Sequence, residues 1–296
     1  MTYTKKAQIE SNSSSPSELA RLSAAVRGLF FFLFFSISVF SQPKIKLVIL
    51  HTNDTHSQVE PTEKSNLSTS DMGGYARRMG VIANIRSEEK NVLLFDAGDY
   101  SQGTPYFNFY NGRIEVDALN RMKYDAITIG NHEFDNGVDT LAAVLSGAKF
   151  PVLSSNYNLA KTALKGIVKP YLVINRYGLR IGVIATNIDP KGLIIESNYK
   201  GITCNDPYKT ANQLSEYLKK KKHCDVIICL SHLGLQPDKE LAMQSKNIDL
   251  IISAHSHSLT DNLKVQNAVG KEVVIAQMGK SGLYLGRVDL ELQKKE

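Results

Sequence analysis

The stretch KIKLVILHTNDTH, residues 44–56, contains the pattern that decides the fold. A run of large apolar residues of strand length ends in polar residues, and Asp54 and His56 follow at once. Similar runs recur along the chain, and each has the length and composition of a buried β-strand. The predicted strands are Lys44–His51, Val92–Asp96, Ala126–Gly130, Pro151–Ser155, Leu172–Arg176, Leu179–Ala185, Val226–Ser231, Leu250–Ala254, Val273–Ala276 and Leu285–Leu292.

Segments with helical periodicity lie between many of these strands. Tyr75–Ser87 and Val138–Ser146 carry apolar residues at helical spacing. Asp206 before Pro207 predicts the start of a helix that runs to Lys220, because an acidic cap and a first-turn proline favour helix initiation. Strands that alternate with helices predict a layered α/β fold with much parallel sheet.

The composition is that of a packed globular protein. The chain has 296 residues, of which 43% are hydrophobic and 22% are charged, and this balance excludes a disordered or collagen-like chain. The net charge of +6 comes from scattered residues and one cluster, Lys219–Lys222. That cluster ends a predicted helix, where cations suit the helix dipole, and a partner site is the alternative. The charge pattern therefore gives no indication of nucleic acid binding.

Residues 1–41 are predicted to be an N-terminal extension with a signal peptide. A basic flank precedes the apolar run Leu29–Phe40, which would span about 18 Å as a helix and is too short for a bilayer core of about 30 Å. This flank, the short run and the small residue Ser41 are typical of a secretory signal, with a buried helix as the alternative. Cleavage before Gln42 would leave one domain, 42–296, exported to the periplasm or the extracellular space without a stable membrane span.

The three cysteines are Cys204, Cys224 and Cys229. Cys224 and Cys229 lie five residues apart in one predicted strand segment, so we expect their side chains on opposite faces and no bond between them. Buried free thiols are the favoured interpretation. A disulfide to Cys204 is the alternative in an oxidising compartment.

Metal-ligating side chains follow five of the predicted strands. Because ligands bind at the carboxyl ends of strands in α/β sheets, these five strand ends should meet at one crevice. The candidate ligands are Asp54 and His56 after the first strand, Asp99 after the second, Asn131 after the third, His232 after Val226–Ser231, and His255 and His257 after Leu250–Ala254.

These seven donor groups are too many for one ion. A single zinc ion takes three or four protein ligands, so the set predicts two divalent ions that share a carboxylate. Mixed oxygen and imidazole donors suit Zn²⁺, Mn²⁺ or Fe better than Ca²⁺ or Mg²⁺ alone. Asp54 and His56 are two residues apart in a segment expected to be extended, which would place them on the same side. His255 and His257 have the same spacing.

The segments HTNDTHS, FDAGDYSQG, IGNHEFDNG, LSHLG and AHSHS occur in this order and resemble the five signatures of the calcineurin-like dinuclear metallophosphoesterases. NDTH, GNHEFD and the later QMGKSGLYLGRVDL are similar to the 5′-nucleotidase branch. The resemblance covers Lys44 to Leu292. It implies a single α/β catalytic domain, a layered metallophosphoesterase-type β-sandwich flanked by helices.

The same resemblance implies an activity and a role for each motif residue. The activity is 5′-nucleotidase-type hydrolysis of phosphate monoesters by a metal-bridged hydroxide, with a 2′,3′-cyclic phosphodiesterase or a UDP-sugar hydrolase as alternatives. Asp99 would bridge the two ions, and His132 and Asp135 match the catalytic dyad. One metal would be held by Asp54, His56, Asp99 and His257, and the other by Asp99, Asn131, His232 and His255.

Members of this family commonly carry a C-terminal domain that binds the nucleoside, and no segment of this sequence resembles it. We therefore expect poor discrimination between nucleobases, or a catalytic subunit that depends on a separate 5′-nucleotidase C-terminal-domain protein. The aromatic residues near the metal motifs are expected to pack the domain rather than bind a base. They are Tyr100, Tyr106, Phe107 and Phe109.

Overall fold

Strands and helices alternate along residues 44–65 and 68–292, the part of the chain that the computed structural model describes. The predicted signal peptide lies outside these residues. The described strands, β1 to β14 in chain order, are Ile45–Thr52, Val92–Asp96, Ala126–Thr128, Val152–Leu153, Tyr157–Asn158, Val168–Lys169, Tyr171–Arg176, Leu179–Asn187, Thr203–Cys204, Val226–His232, Leu250–Ser253, Leu263–Gln266, Glu272–Ala276 and Gly286–Leu292. The described α-helices, α1 to α6, are Tyr75–Glu88, Pro105–Tyr110, Arg113–Met122, Val138–Leu145, Pro207–Lys220 and Leu235–Gln244.

The strands form two large sheets. The first has the order β14-β1-β2-β3-β4-β6, and all its strands are parallel except β14, which pairs antiparallel with β1. The second has the order β12-β13-β11-β10-β8-β7, with parallel inner strands and an antiparallel strand at each edge. The predicted parallel sheet is therefore present as the two halves of a sandwich.

The strand sequences explain this layering. Side chains of a strand alternate between two faces, and both faces of β1 are buried. Leu47 and Ile49 pack in the core between the two sheets, whereas Val48 and Leu50 pack in a second core that includes residues of α1, α3 and α4. Residues of α5 and α6 pack in a third core on the outer side of the second sheet. The predicted α/β sandwich flanked by helices is thus confirmed.

Three described helices, α2, α3 and α6, were not predicted from the sequence. α2 has only six residues and begins with a proline, and α6 has a proline in its first turn, which obscures its periodicity. None of the described helices is both long and apolar enough to cross a bilayer.

All three cysteines are free thiols. The expectation that Cys224 and Cys229 face opposite sides is wrong, because both contribute to the core around α5 and α6. Cys224 lies before the start of β10, so strand alternation does not apply to it. Free thiols, the favoured interpretation, are what the structure has.

The carboxyl ends of the two sheets are joined by a buried amide. Asn187, the last residue of β8 in the second sheet, donates from Nδ2 to Thr128 Oγ1 at 2.9 Å, at the end of β3 in the first sheet. It also accepts at Oδ1 from the hydroxyl of Ser154, at 2.6 Å. These bonds fix the two sheets relative to each other at the edge where the candidate ligands emerge.

Candidate active site

The seven candidate ligands come together where β1, β2 and β3 of one sheet end beside β10 and β11 of the other. They include two groups of residues whose ligand atoms lie within 4.8 Å of one another. The first group is Asp54, His56 and His257, and the second is Asp99, His232 and His255. Each group contains three members of one of the two ligand sets that the family resemblance implies.

The local geometry differs from the sequence expectation. Asp54 and His56 were expected in an extended segment, but their φ angles are 47° and 46°. His255 and His257, with φ of 69° and 51°, also have left-handed backbone. Asp99 does too, with φ of 54°. Non-glycine residues in this region are strained by roughly 1–3 kcal/mol each and concentrate at functional sites. Tight turns, not strand alternation, bring these side chains together.

The first group is closely packed around a buried carboxylate. The Nε2 atoms of His56 and His257 are 3.0 Å apart, and His257 Nε2 lies 3.6 Å from Asp54 Oδ1. Asn53 Nδ2 and the main-chain N–H of His255 donate to the Asp54 carboxylate. Burial nevertheless raises the pKa of Asp54 to about 7, so a cation beside this carboxylate would stabilise its charged form.

In the second group, the tautomer of His232 favours the binding of a cation. His232 Nδ1 is 2.8 Å from the carbonyl oxygen of Ala97, which can only accept, so Nδ1 carries the hydrogen. In neutral His232 the lone pair of Nε2 then faces Asp99 Oδ2 at 3.1 Å, both atoms being buried acceptors. Burial lowers the pKa of His232, but Asp99 more than compensates and raises it to about 10. This position therefore attracts positive charge, from a proton or from a metal ion.

The other imidazoles are poised as neutral ligands. Burial lowers the pKa of His56 to about 4 and also lowers the pKa values of His255 and His257. A neutral imidazole offers the lone pair that a metal needs. Asn131 completes the set, with its Oδ1 3.0 Å from His255 Nδ1.

The predicted dyad lies beside both groups. His132 Nδ1 is 2.9 Å from Asp135 Oδ2, and this hydrogen bond, more than any other influence, raises the pKa of His132. The His132 ring lies 5.4 Å from the His56 ring, measured between centroids. Its main-chain N–H donates to Asp99 Oδ1 at 2.9 Å. With 34% of its side chain exposed, His132 can reach a group bound at the centre.

Glu133, which the sequence analysis did not single out, connects two loops of the candidate site. Its buried carboxylate accepts hydrogen bonds from the main-chain N–H groups of Asp99, Ser101 and Gly130, and from the Ser101 hydroxyl. It therefore ties the loop after β2 to the loop after β3. Its position between His132 and Asp135 in the sequence could have drawn attention to it. Its hydrogen-bond partners become apparent only in the folded structure.

The segment QMGKSGLY, residues 277–284, forms hydrogen bonds with Asn53 and Asp54 and so supports the first group. The main-chain N–H of Ser281 donates to the carbonyl of Asp54 at 2.7 Å. The side-chain amide of Asn53 donates to the carbonyl of Gly279 and accepts from the N–H of Met278, both at 2.8 Å. The turn at residues 278–281 therefore holds the backbone of the Asp54 segment in place, although the two lie far apart in the sequence.

The aromatic residues follow the packing prediction only in part. Tyr100 and Phe107 are buried, as expected. Tyr106 is half-buried, and its hydroxyl donates to Glu60 Oε1 at 3.0 Å. Phe109 does not pack the domain, because 79% of it is exposed.

Comparison with known proteins agrees with this geometry. Residues 47–259 match the family model of the calcineurin-like phosphoesterases. Human 5′-nucleotidase is 32% identical over 84% of this chain and 47% of its own length. The trifunctional nucleotide phosphoesterase of Bacillus subtilis is also 32% identical over 84% of the chain, but over 18% of its own length.

The crystal structure of a 5′-nucleotidase precursor from Thermus thermophilus superimposes with a TM-score of 0.74 and 34% identity, over 84% of this chain and 55% of that one. The chain thus spans about half the length of human 5′-nucleotidase and less of the Bacillus protein.

Proposed function

The chain belongs to the calcineurin-like phosphoesterase family, and from this we propose that it is a metal-dependent phosphomonoesterase that acts on nucleotides. The observation that carries the proposal is the pair of ligand groups, Asp54 with His56 and His257, and Asp99 with His232 and His255, around buried carboxylates. Names of relatives that include 5′-nucleotidase support the substrate class.

We assign one divalent ion to Asp54, His56, Asp99 and His257, and a second to Asp99, Asn131, His232 and His255, with Asp99 as the shared ligand. Mixed carboxylate, amide and imidazole donors suit Zn²⁺, Mn²⁺ or Fe. When bound, two such ions would supply water activated near neutral pH and positive charge for a phosphoryl group.

His132 and Asp135 then perform the proton chemistry. Because the Asp135 carboxylate accepts from Nδ1, it fixes the ring orientation of His132 and favours its cationic form. Nε2 of the cation can donate to the leaving oxygen of the ester or stabilise the charge that develops there. Asp135 is thus a positioning residue, and His132 is the group that would touch the substrate.

Two further proposals concern the context of the enzyme. We propose export through the N-terminal segment, in keeping with the predicted signal. We also propose that a separate protein resembling the C-terminal domain of 5′-nucleotidases can supply base recognition. Co-purification with such a protein and secretion of a tagged full-length chain are the respective tests.

The proposed function is tested by phosphate release from the purified protein with Mn²⁺, Zn²⁺ or Fe²⁺. The panel contains nucleoside monophosphates, a ringless ester, a 2′,3′-cyclic nucleotide and a nucleotide sugar. We expect release from monoesters and about two metal ions per chain by elemental analysis. Absence of release with every metal, or one ion per chain at saturation, would refute the two-metal monoesterase.

A further inference from the structure

A cavity of about 620 Å³ opens at the end of the first sheet that is opposite to the candidate metal centre. Val92, which lines it, is the first residue of β2, and Asp125, which also lines it, directly precedes β3. Asp99 and Asn131 follow the other ends of the same two strands, which run parallel. The cavity is therefore separate from the candidate active site.

Basic side chains dominate the lining of this cavity, which we call the basic cleft. Five of them contribute to it: Arg86, Lys90, Lys123, Lys149 and Arg176. The two acidic residues of the lining, Glu89 and Asp125, leave three positive charges in excess. A concave surface that carries charge of one sign concentrates the electrostatic field and attracts ions of the opposite sign.

The acidic residues do not neutralise the lysines of the cleft. Asp125 pairs with Arg176, and Glu89 pairs with Lys46 and Arg287, which lie outside the lining. Within residues 44–65 and 68–292, the three lysines of the cleft form no ion pair with a carboxylate. Their charge is therefore available to a bound anion.

Helix ends account for only part of this positive charge. The cleft lies near the C-terminal ends of α1, α3 and α4, and each such end carries a partial charge of about −0.5. Three of them would offset at most about half of the excess. At the end of α3, moreover, Arg86 already donates from Nη1 and Nη2 to the carbonyls of Met122 and Lys123, at 2.6 and 2.9 Å.

Hydrogen bonds fix the walls of the basic cleft relative to one another. The side chain of Asn120, on α3, donates to the carbonyl of Gly147 at 2.9 Å and accepts from the main-chain N–H of Lys149 at 2.7 Å. The hydroxyl of Tyr177, between β7 and β8, donates to the carbonyl of Val92 at 3.1 Å. Because its walls are held in this way, the cleft needs little ordering when a ligand binds.

We propose that the basic cleft binds an oligophosphate anion, which is either inorganic triphosphate or the triphosphate group of a nucleotide. Lysine binds phosphate oxygens as a point charge, and several linked phosphates are needed to reach more than one of the three lysines at once. The cavity has a volume within the range of small-molecule sites, roughly 300–1,000 Å³. Its concave shape favours a small anion over an acidic protein or a membrane surface.

The test titrates inorganic triphosphate and ATP into the full-length protein by calorimetry at about 0.15 M salt, where distant charges are screened. The protein carries Asp99→Asn, which impairs the proposed metal centre and leaves the cleft intact. We expect both ligands to bind. Adding Lys123→Gln with Lys149→Gln should weaken binding at least about tenfold. The matched control, Lys220→Gln with Lys221→Gln, removes the same charge at the end of α5 and should change binding less than about twofold.

Equal affinity for the two ligands would identify the phosphate chain alone as the recognised group, and tighter binding of ATP would add its nucleoside. Absence of binding, or equal weakening by the cleft and control substitutions, would overturn the proposal. Binding by the wild type but not by Asp99→Asn would place the ligand at the metal centre instead. Binding of phosphatidylserine vesicles without binding of triphosphate would overturn it in favour of a membrane surface. None of these measurements depends on turnover.

Discussion

The main-chain N–H of His132 donates to the carboxylate of Asp99, with 2.9 Å between N and Oδ1. This bond joins the predicted proton donor to the predicted bridging ligand, although they lie 33 residues apart in the sequence. The loop that carries the proposed bridging ligand is therefore tied directly to the loop that carries the proposed dyad. A change in either loop should affect both, and the predictions below depend on this coupling.

We expect Gly130→Ala to lower the activity of the enzyme strongly, by about a hundredfold. A Cβ atom on Gly130 would overlap the Asp99 carboxylate and the Asp99 main-chain nitrogen. Asp99 must move, and a displacement of about 1 Å at such a centre lowers kcat/KM by about a hundredfold. Gly80→Ala is the control, because a Cβ there meets no atom within 4 Å. Equal, high activity of the two variants would contradict the close approach of Gly130.

Asp99→Asn should impair the enzyme more than Asp54→Asn. In the proposed assignment Asp99 is shared by both ions and Asp54 belongs to one, so Asp99→Asn should reduce the content of both metals. Elemental analysis and kcat/KM of the two variants measured side by side provide the comparison. Loss of one ion and equal residual activity in both variants would argue against a bridging Asp99.

His132→Ala should retain two metals per chain while losing about 10²–10⁴ in kcat, the usual contribution of a general acid or a charge-stabilising group. Asp135→Asn should lose less, because the imidazole remains but is oriented less well. A variant His132→Ala that binds only one ion would identify His132 as a metal ligand.

Glu133→Gln should destabilise the protein by about 1–3 kcal/mol, as expected when buried donors lose their acceptor. All four partners of Glu133 are donors, and a glutamine amide can accept at only one end. Chemical denaturation measures this loss. Glu216→Gln, which removes a surface ion pair with Lys220, should change the unfolding free energy little. Wild-type stability of Glu133→Gln would show that these bonds do not hold the two loops.

Stability should fall on acidification because of His51. Its ring is fully buried with both nitrogens unpaired, and burial lowers its pKa from 6.5 to about 4. His51 therefore binds a proton near pH 6.5 in the unfolded chain but only near pH 4 in the folded chain. The free energy of unfolding should drop by about 3 kcal/mol between these values.

His51→Leu should remove this part of the acid sensitivity, which denaturation at pH 4, 5, 6 and 7 would reveal. His223→Leu removes an exposed histidine instead and should keep the wild-type dependence. A pH dependence in His51→Leu equal to that of the wild type would exclude His51 as the cause.

Much of the fold could be predicted because strands buried on both faces appear in the sequence as continuous runs of apolar residues. The predicted Val92–Asp96 strand has the bounds of β2, and the helix from Pro207 to Lys220 has those of α5. Asp206 accepts from the N–H of Lys209, as its capping position predicts. Helix α2 escaped prediction because six residues are too few for a clear period, and α6 because the proline in its first turn interrupts the pattern.

The sequence by itself determined which donor groups the site contains. It also determined that they follow the ends of strands, because a buried strand ends where its apolar run ends. Only the tertiary structure decided how they meet. Left-handed turns replace the expected extended segments at Asp54 and His56, and Glu133 links two loops that the sequence keeps apart. It also decided that Phe107 is buried while Phe109 remains in solvent. Backbone turns and long-range hydrogen bonds depend on chain segments brought together by folding, so residue types and spacing alone do not specify them.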